Sequence, residues 1–262
     1  AMALAPLALA QTAGRSGGTA ANRDFSGIWN QGGGGGFAPA GGGAASARDL
    51  AEGRIPSFAF SREAPPMQPW AVERLKTNRA GMPLNEGGQN ERNTALYPYC
   101  LPENMPRVMT IGAFEVVHAP DRLFLLHERN HNVRRIYLDG KRHLDGMAPT
   151  FLGTSHGRWD GDTLVVETGN ILSLDGYAWL DMLAHPFSDS LRVVERFRRL
   201  APDKLQIDFL FEDPGAYTRP WTGLKTYQLQ TDWEITEFII CNDHLQEDFV
   251  RDMKSGKPAG RP

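Results

Sequence analysis

Gly157-Arg158-Trp159-Asp160-Gly161-Asp162-Thr163-Leu164-Val165-Val166 decides how the rest of the chain is read. Two runs carrying aromatic and β-branched residues flank an Asp-Gly dipeptide, whose glycine tolerates the positive φ of a tight hairpin turn. A calcium loop would need further oxygen ligands and a glutamate at its twelfth position, so the stretch reads as a hairpin. Outward from it the same rhythm continues. Strand candidates fall at 113–119, 122–128, 132–138, 150–159, 163–169, 190–199, 204–212, 222–230 and 233–241, with a further Asp-Gly turn at Asp139-Gly140 and a first strand at Phe25–Asn30. Such close spacing leaves no room for long helices between strands, which predicts antiparallel sheet, and a sheet removes its edges by closing. The expected fold class is therefore mainly β: an antiparallel up-and-down barrel with a few short helices and a glycine-rich N-terminal extension.

Helix is expected over 67–80, where a proline opens an amphipathic run between about Pro66 and Arg79, in 175–183, and in the tail. The glycines are uneven: thirteen of 28 lie in residues 1–53. Gly32 to Gly36 is an unbroken run, but Phe37-Ala38-Pro39 follows it where a phosphate loop would continue into a helix with Lys-Ser/Thr. It reads as a surface loop. The organisation expected is a leader remnant over 1–23, one barrel domain over 24–245 with a loop insertion at 32–66, and a helical tail over 246–262. With 28 Lys+Arg against 31 Asp+Glu, the net charge of -3 argues against a nucleic-acid partner, since no broad positive field is available to meet phosphates. No run of 18 apolar residues occurs, so no membrane-spanning helix is expected, and a homodimer is left open.

The small, apolar start of the chain ends in Ala8-Leu9-Ala10, the A-x-A pattern found before a signal-peptidase cut, and predicts a periplasmic or secreted protein. In such a compartment an even cysteine count favours a bridge between Cys100 and Cys241, worth about 4–5 kcal/mol for so long a loop, with two buried thiols as the alternative.

Gly27-Ile28-Trp29 on the first strand is similar to the G-x-W that opens lipocalin (calycin) barrels. Across about 98–245 the chain resembles a large family of exported bacterial proteins. The motifs are Cys100-Leu101-Pro102 with Pro106-Arg107, Arg134-Arg135-Ile136-Tyr137 with Asp139-Gly140, the hairpin quoted above, Trp179-Leu180-Asp181, His185-Pro186, Glu195-Arg196-Phe197 and Pro220-Trp221. The resemblance implies a lipocalin-like barrel and export rather than a particular reaction.

Alternation selects the residues that point inward. In Leu191–Arg198, Glu195 shares a face with Leu191, Val193 and Phe197, opposite Arg192, Arg196 and Arg198. A carboxylate there takes a partner or a proton, so it is either a general acid or base or one half of a buried pair with arginine. The same alternation puts Glu128 with Phe124 and Leu126, and Arg135 with Val133 and Tyr137. It predicts that Glu128, Arg135 and Tyr137 meet inside the barrel or at its rim, Arg135 neutralising a carboxylate or clamping an acidic substrate group. Asp181 and His185, four apart, suit an acid–base couple on a helical turn. His156, Trp179, Tyr217 and Trp221 are the remaining candidates for substrate contact. His127, His131, His156 and His185 lack H-x-H or H-E-x-x-H spacing, so no metal is expected, and no G-x-S-x-G elbow marks a serine nucleophile. The expected function is a cofactor-independent acid–base enzyme (lyase, hydratase, isomerase or cyclase) acting on a small apolar or aromatic molecule, with Glu195, His185, Asp181 and Glu128 as its catalytic groups. The alternatives are a carrier of a hydrophobic ligand and a structural envelope protein with a filled interior.

Overall fold

Leu205, Ile207, Phe209 and Phe211 alternate along one strand and are all buried, while Trp221, Gly223, Lys225 and Tyr227 face inward from its neighbour. Period-two patterning of this kind gives a sheet one dry face, and the sheet closes around it. The computed structural model describes residues 20–31, 55, 58–79, 102–141, 146–174 and 178–236. Within these, nine strands form a closed barrel in chain order: β1 (Gly27–Gln31), β2 (Phe114–Ala119), β3 (Arg122–His127), β4 (Val133–Tyr137), β5 (Thr154–Asp160), β6 (Thr163–Gly169), β7 (Arg192–Ala201), β8 (Lys204–Glu212) and β9 (Trp221–Gln230). The architecture is compatible with a lipocalin-like barrel.

One junction departs from the expected antiparallel meander. β4 and β5 run parallel and pair only at Ile136↔Ser155 and Tyr137↔His156. Sixteen residues separate the two strands, enough to carry the chain back to the end of the barrel where β4 began. Closure itself demands such a junction. Nine strands that strictly alternated would leave β1 and β9 parallel, and the single parallel step lets them close antiparallel, with Ile28 opposite Gln230.

The two ends of the barrel differ. At one, the 3-10 turn Ala20–Arg23 leads into Phe25, whose ring stacks on Trp159 at 5.6 Å and meets Phe197 at 6.1 Å. Trp29 is fully buried beside it and donates its indole N–H to the Phe25 carbonyl at 2.8 Å. The other end carries a thick cap made of segment 58–68, helix α1 (Pro69–Arg79), residues 102–113, the connection 178–191 and the turn 213–220. Phe60 plugs it, packing on Phe209 and Phe211 at 4.7 and 5.0 Å. That is why β9 carries glycine at 223, where a Cβ would come within 2.6 Å of Phe60 Cβ. Helix α1 sits one to two residues inside its expected span, with Pro69 as its first residue and Ala71, Leu75 and Asn78 as its buried stripe.

The helix expected over 175–183 is absent from its described part: 178–191 is a series of turns. Residues 233–236 are not strand. Residues 1–19 of the leader expected over 1–23, the glycine run 32–36, Cys100, Cys241 and the tail lie outside the described residues, while Ala20–Arg23 is the 3-10 turn described above. Among the described residues no helix is long and apolar enough to cross a membrane.

Candidate functional site

The capped half of the barrel holds two buried acid–base pairs, and they are built differently. The first is Glu195 with Arg134. Glu195 projects inward from β7 as alternation requires, and it is fully buried. Arg134, in β4 with β5 and β6 between it and β7, meets it fork to fork. Nη1 donates to Oε1 at 2.9 Å and Nη2 donates to Oε2. The rest of the guanidinium is used as well: Nε donates to Ser155 Oγ at 3.2 Å and Nη2 to Thr168 Oγ1 at 2.9 Å, with the two hydroxyls 2.9 Å apart. Met109 covers the pair with its sulfur 3.8 Å from Nη1, and its carbonyl accepts the Tyr227 hydroxyl at 2.6 Å. Burial, with Glu195 adding to it and Arg134 opposing, pushes the Tyr227 hydroxyl well above its ordinary pKa.

The inward face of β4 is a correction. Val133 is 38% exposed and Arg135 is exposed, whereas Arg134 and Ile136 are buried. The pattern Val133-Arg134-Arg135-Ile136-Tyr137 offers two apolar residues on one face and one on the other, so apolar count alone chooses the wrong side. The bidentate partner across the barrel decides it, because a buried Glu195 left unpaired is far more costly than an exposed valine. Glu128 is corrected in the same way: it follows β3 on the outer side shared by Phe124 and Leu126, where its Oε1 accepts the Thr236 hydroxyl at 3.0 Å. Tyr137 lies opposite Arg122, six residues from Glu128 and so about 20 Å along the strand; the two do not meet. Arg135, Tyr137 and His156 gather instead on the outside of the β4–β5 junction, the Tyr137 and His156 rings 6.0 Å apart.

The second pair is Asp181 with His185, in the cap. Asp181 Oδ2 lies 2.7 Å from His185 Nδ1, while Oδ1 accepts the backbone N–H groups of Leu183 at 3.0 Å and His185 at 3.3 Å. Both residues are buried, at 1% and 5% exposure. A turn, not a helix, brings them together: Leu180 N–H donates to the His185 carbonyl at 2.8 Å, and Ala184 between them is held at φ 64°. That is a left-handed conformation for a residue with a Cβ, and such local strain persists only where the surroundings enforce it. Asn78 of α1 is part of the enforcement, donating to the Ala184 carbonyl at 3.0 Å. An ionised carboxylate can only accept, so Nδ1 carries the hydrogen, and in the neutral imidazole Nε2 presents its lone pair. Among the described residues Nε2 has no hydrogen-bond partner.

Three of the expected aromatic residues lie in the same cap. Trp179 packs with Ala184 and Leu75 and lies under the Arg107 guanidinium at 5.3 Å. Tyr217 donates to the Pro186 carbonyl at 2.7 Å, and its ring meets Trp221 at 5.6 Å. Burial, with the nearby charges of Asp181 and Asp213, keeps the Tyr217 hydroxyl neutral far above its usual range. His185 and Glu195 share no partner among the described residues, so the structure does not join them in one constellation.

Further buried charged and polar groups lie beside these pairs. Glu103 lies between Arg107 at 3.2 Å and Arg129 at 3.0 Å, all three buried in the cap. Burial pushes the Glu103 carboxyl up against the pull of Arg107, and lowers Arg129 to about 9, still cationic at neutral pH. The four-residue spacing of Glu103 and Arg107 was the available signal. His127 points into the barrel from the end of β3, with neither ring nitrogen hydrogen-bonded among the described residues, and burial beside Arg134 pushes its pKa down to about 3. The four histidines are dispersed: His127 is inside the barrel, His156 outside it, His131 in the exposed turn before β4 and His185 in the cap. Among the described residues no three His, Cys, Asp or Glu side chains are placed to hold a metal. No protein-family model, curated protein or solved structure matches the chain.

Proposed function

We propose that the protein is an acid–base enzyme needing no organic cofactor, with His185 as its proton-transfer group and a small apolar or aromatic molecule as its substrate. The observation that carries this reading is the Asp181–His185 dyad. One carboxylate oxygen fixes the Nδ1 tautomer, the other is tied to two backbone N–H groups, and Nε2 is left over. In such a couple His185 abstracts a proton at Nε2, Asp181 stabilises the imidazolium, and the proton returns to a neighbouring atom or to a leaving group. That step is common to elimination, hydration, isomerisation and cyclisation. Trp179, Tyr217 and Trp221 make the surroundings aromatic, which suits an apolar substrate. Glu195, with both oxygens on Arg134, holds the barrel in this reading and does not take part in the proton transfer.

A test that needs no foreknowledge of the full reaction is deuterium uptake. A library of small aromatic and aliphatic carbonyl compounds, incubated with the protein in D2O, should contain members that exchange an acidic C–H. His185→Ala should slow the exchange about 10²–10⁴-fold. Exchange undiminished in His185→Ala removes the assignment.

One observation favours the carrier reading. His127 is an unpartnered polar group facing an apolar, aromatic barrel interior, as a single ligand anchor would be. In that case His127→Phe abolishes retention of a hydrophobic ligand while His185→Ala leaves it intact.

A further inference from the structure

The parallel junction leaves a gap in the wall. Because β4 and β5 pair only at 136–137 and 155–156, the first half of β4 has no β5 partner. There the structure holds a cleft of about 340 Å3. Val133, Phe151, Leu152 and Pro102 give it apolar walls, and among the described residues no acidic side chain lines it. Two arginines do. Arg134 turns inward and is spent on Glu195, Ser155 and Thr168. Arg135 stays outside, exposed, with no ion pair or side-chain hydrogen bond among the described residues. Asn132 also lines the cleft, and its Nδ2 is a buried donor that no acceptor in the described protein satisfies.

We propose that this cleft is a binding site for a small monocarboxylate with an apolar body, aromatic or branched, and that Arg135 is its anchor. The volume is that of a small-molecule site, and its lining mixes apolar residues with a few polar groups. The polar groups are donors of the kind a carboxylate accepts from: a planar guanidinium able to grip both oxygens, and an amide N–H. A single unengaged cation with no opposing acid matches a monoanion better than a phosphate ester. The apolar walls demand more than a bare carboxylate. The site lies on the outside of the barrel wall and uses none of the residues of the Asp181–His185 dyad, so it stands or falls separately from the enzymatic reading.

The test is an amide-resolved NMR titration of the whole chain with three probes: benzoate, benzamide as its uncharged counterpart, and acetate as a carboxylate without the ring. Benzoate should shift the amides of 133–137 and 150–154 saturably, with benzamide and acetate weaker by about tenfold or more. Arg135→Gln, an exposed change that leaves the core untouched, should weaken benzoate by a similar factor. Arg135→Lys should recover part of the loss. His185→Ala should bind benzoate like the parent. The proposal is overturned if benzamide binds as well as benzoate, if Arg135→Gln changes nothing, if the shifts fall elsewhere, or if benzoate produces no saturable shift.

Discussion

Arg134–Glu195 and Asp181–His185 are both buried, both charge-assisted and both in the capped half of the barrel, yet they differ in what they leave over. At Arg134–Glu195 every nitrogen of the guanidinium and both carboxylate oxygens have partners inside the protein. At Asp181–His185 the carboxylate is likewise saturated, but one imidazole nitrogen is not. The first arrangement consumes its own chemistry in tying together the inner faces of β4, β5, β6 and β7. The second spends a carboxylate and a strained Ala184 to present a lone pair. Burial and charge alone do not separate a structural pair from a reactive one; the count of unsatisfied positions does.

Four experiments bear on that contrast. The largest effect is expected at the dyad: His185→Ala, and to a lesser extent Asp181→Asn, should lower turnover of a substrate found by deuterium exchange about 10²–10⁴-fold. Both should remain folded by circular dichroism. If the loss of activity tracks a loss of fold, the dyad is structural and the contrast fails.

Next comes Glu195→Gln, which leaves Arg134 buried against a neutral amide and should reduce the unfolding free energy in urea by about 3–5 kcal/mol. Replacing both partners, as Arg134→Met with Glu195→Leu, should restore most of it, because no buried charge is then left uncompensated. A single Gln variant as stable as the parent would show that the pair does not hold the barrel.

His127 sharpens the comparison on the pH axis. Its folded pKa is pushed down to about 3 by burial, whereas in the unfolded chain it titrates near 6.5. Between those values the unfolded state binds the extra proton. The His127 contribution to stability is therefore fully present above about pH 6.5 and declines by about 1.4 kcal/mol per pH unit as pH falls towards 3. His127→Phe should flatten that limb of the stability curve and leave the protein at least as stable at pH 7. An unchanged acid limb would mean that His127 is hydrated in solution.

The smallest effect is expected outside the barrel. Arg192 bridges Glu167 at 2.8 Å and also Glu212, but all three side chains are well exposed. Arg192→Ala should cost less than about 1 kcal/mol, and the difference should vanish in high salt. A larger, salt-resistant loss would show that a solvated pair can rival the buried ones.

Much of the barrel was legible residue by residue. The hairpin at Asp160-Gly161, the alternating faces of β7 and β8, and the inward position of Glu195 all follow from period-two patterning, because water penalises apolar groups locally and each strand records that penalty in its own sequence. The dyad was legible as a spacing, though a tight turn with a left-handed alanine delivers it in place of the expected helix. What the sequence left open are relations between distant residues. The β4 face is the plainest case. Nothing within Val133–Tyr137 says that Arg134 and not Arg135 turns inward; the answer lies in Glu195, sixty-one residues later, and in Ser155 and Thr168 between them.

The chain by itself determined that there would be a mainly β barrel, where its nine strands lie (though it also marked 233–241, whose described part is not strand), and that a carboxylate would be buried on β7, since these depend on neighbours two residues apart. Only the tertiary structure decided that β4 and β5 run parallel, that Arg134 completes Glu195, that His127 is left without a partner, and that a cleft opens beside Arg135. Those outcomes depend on closing nine strands into a ring and on charge pairing across its interior, and both are constraints that no local window of sequence contains.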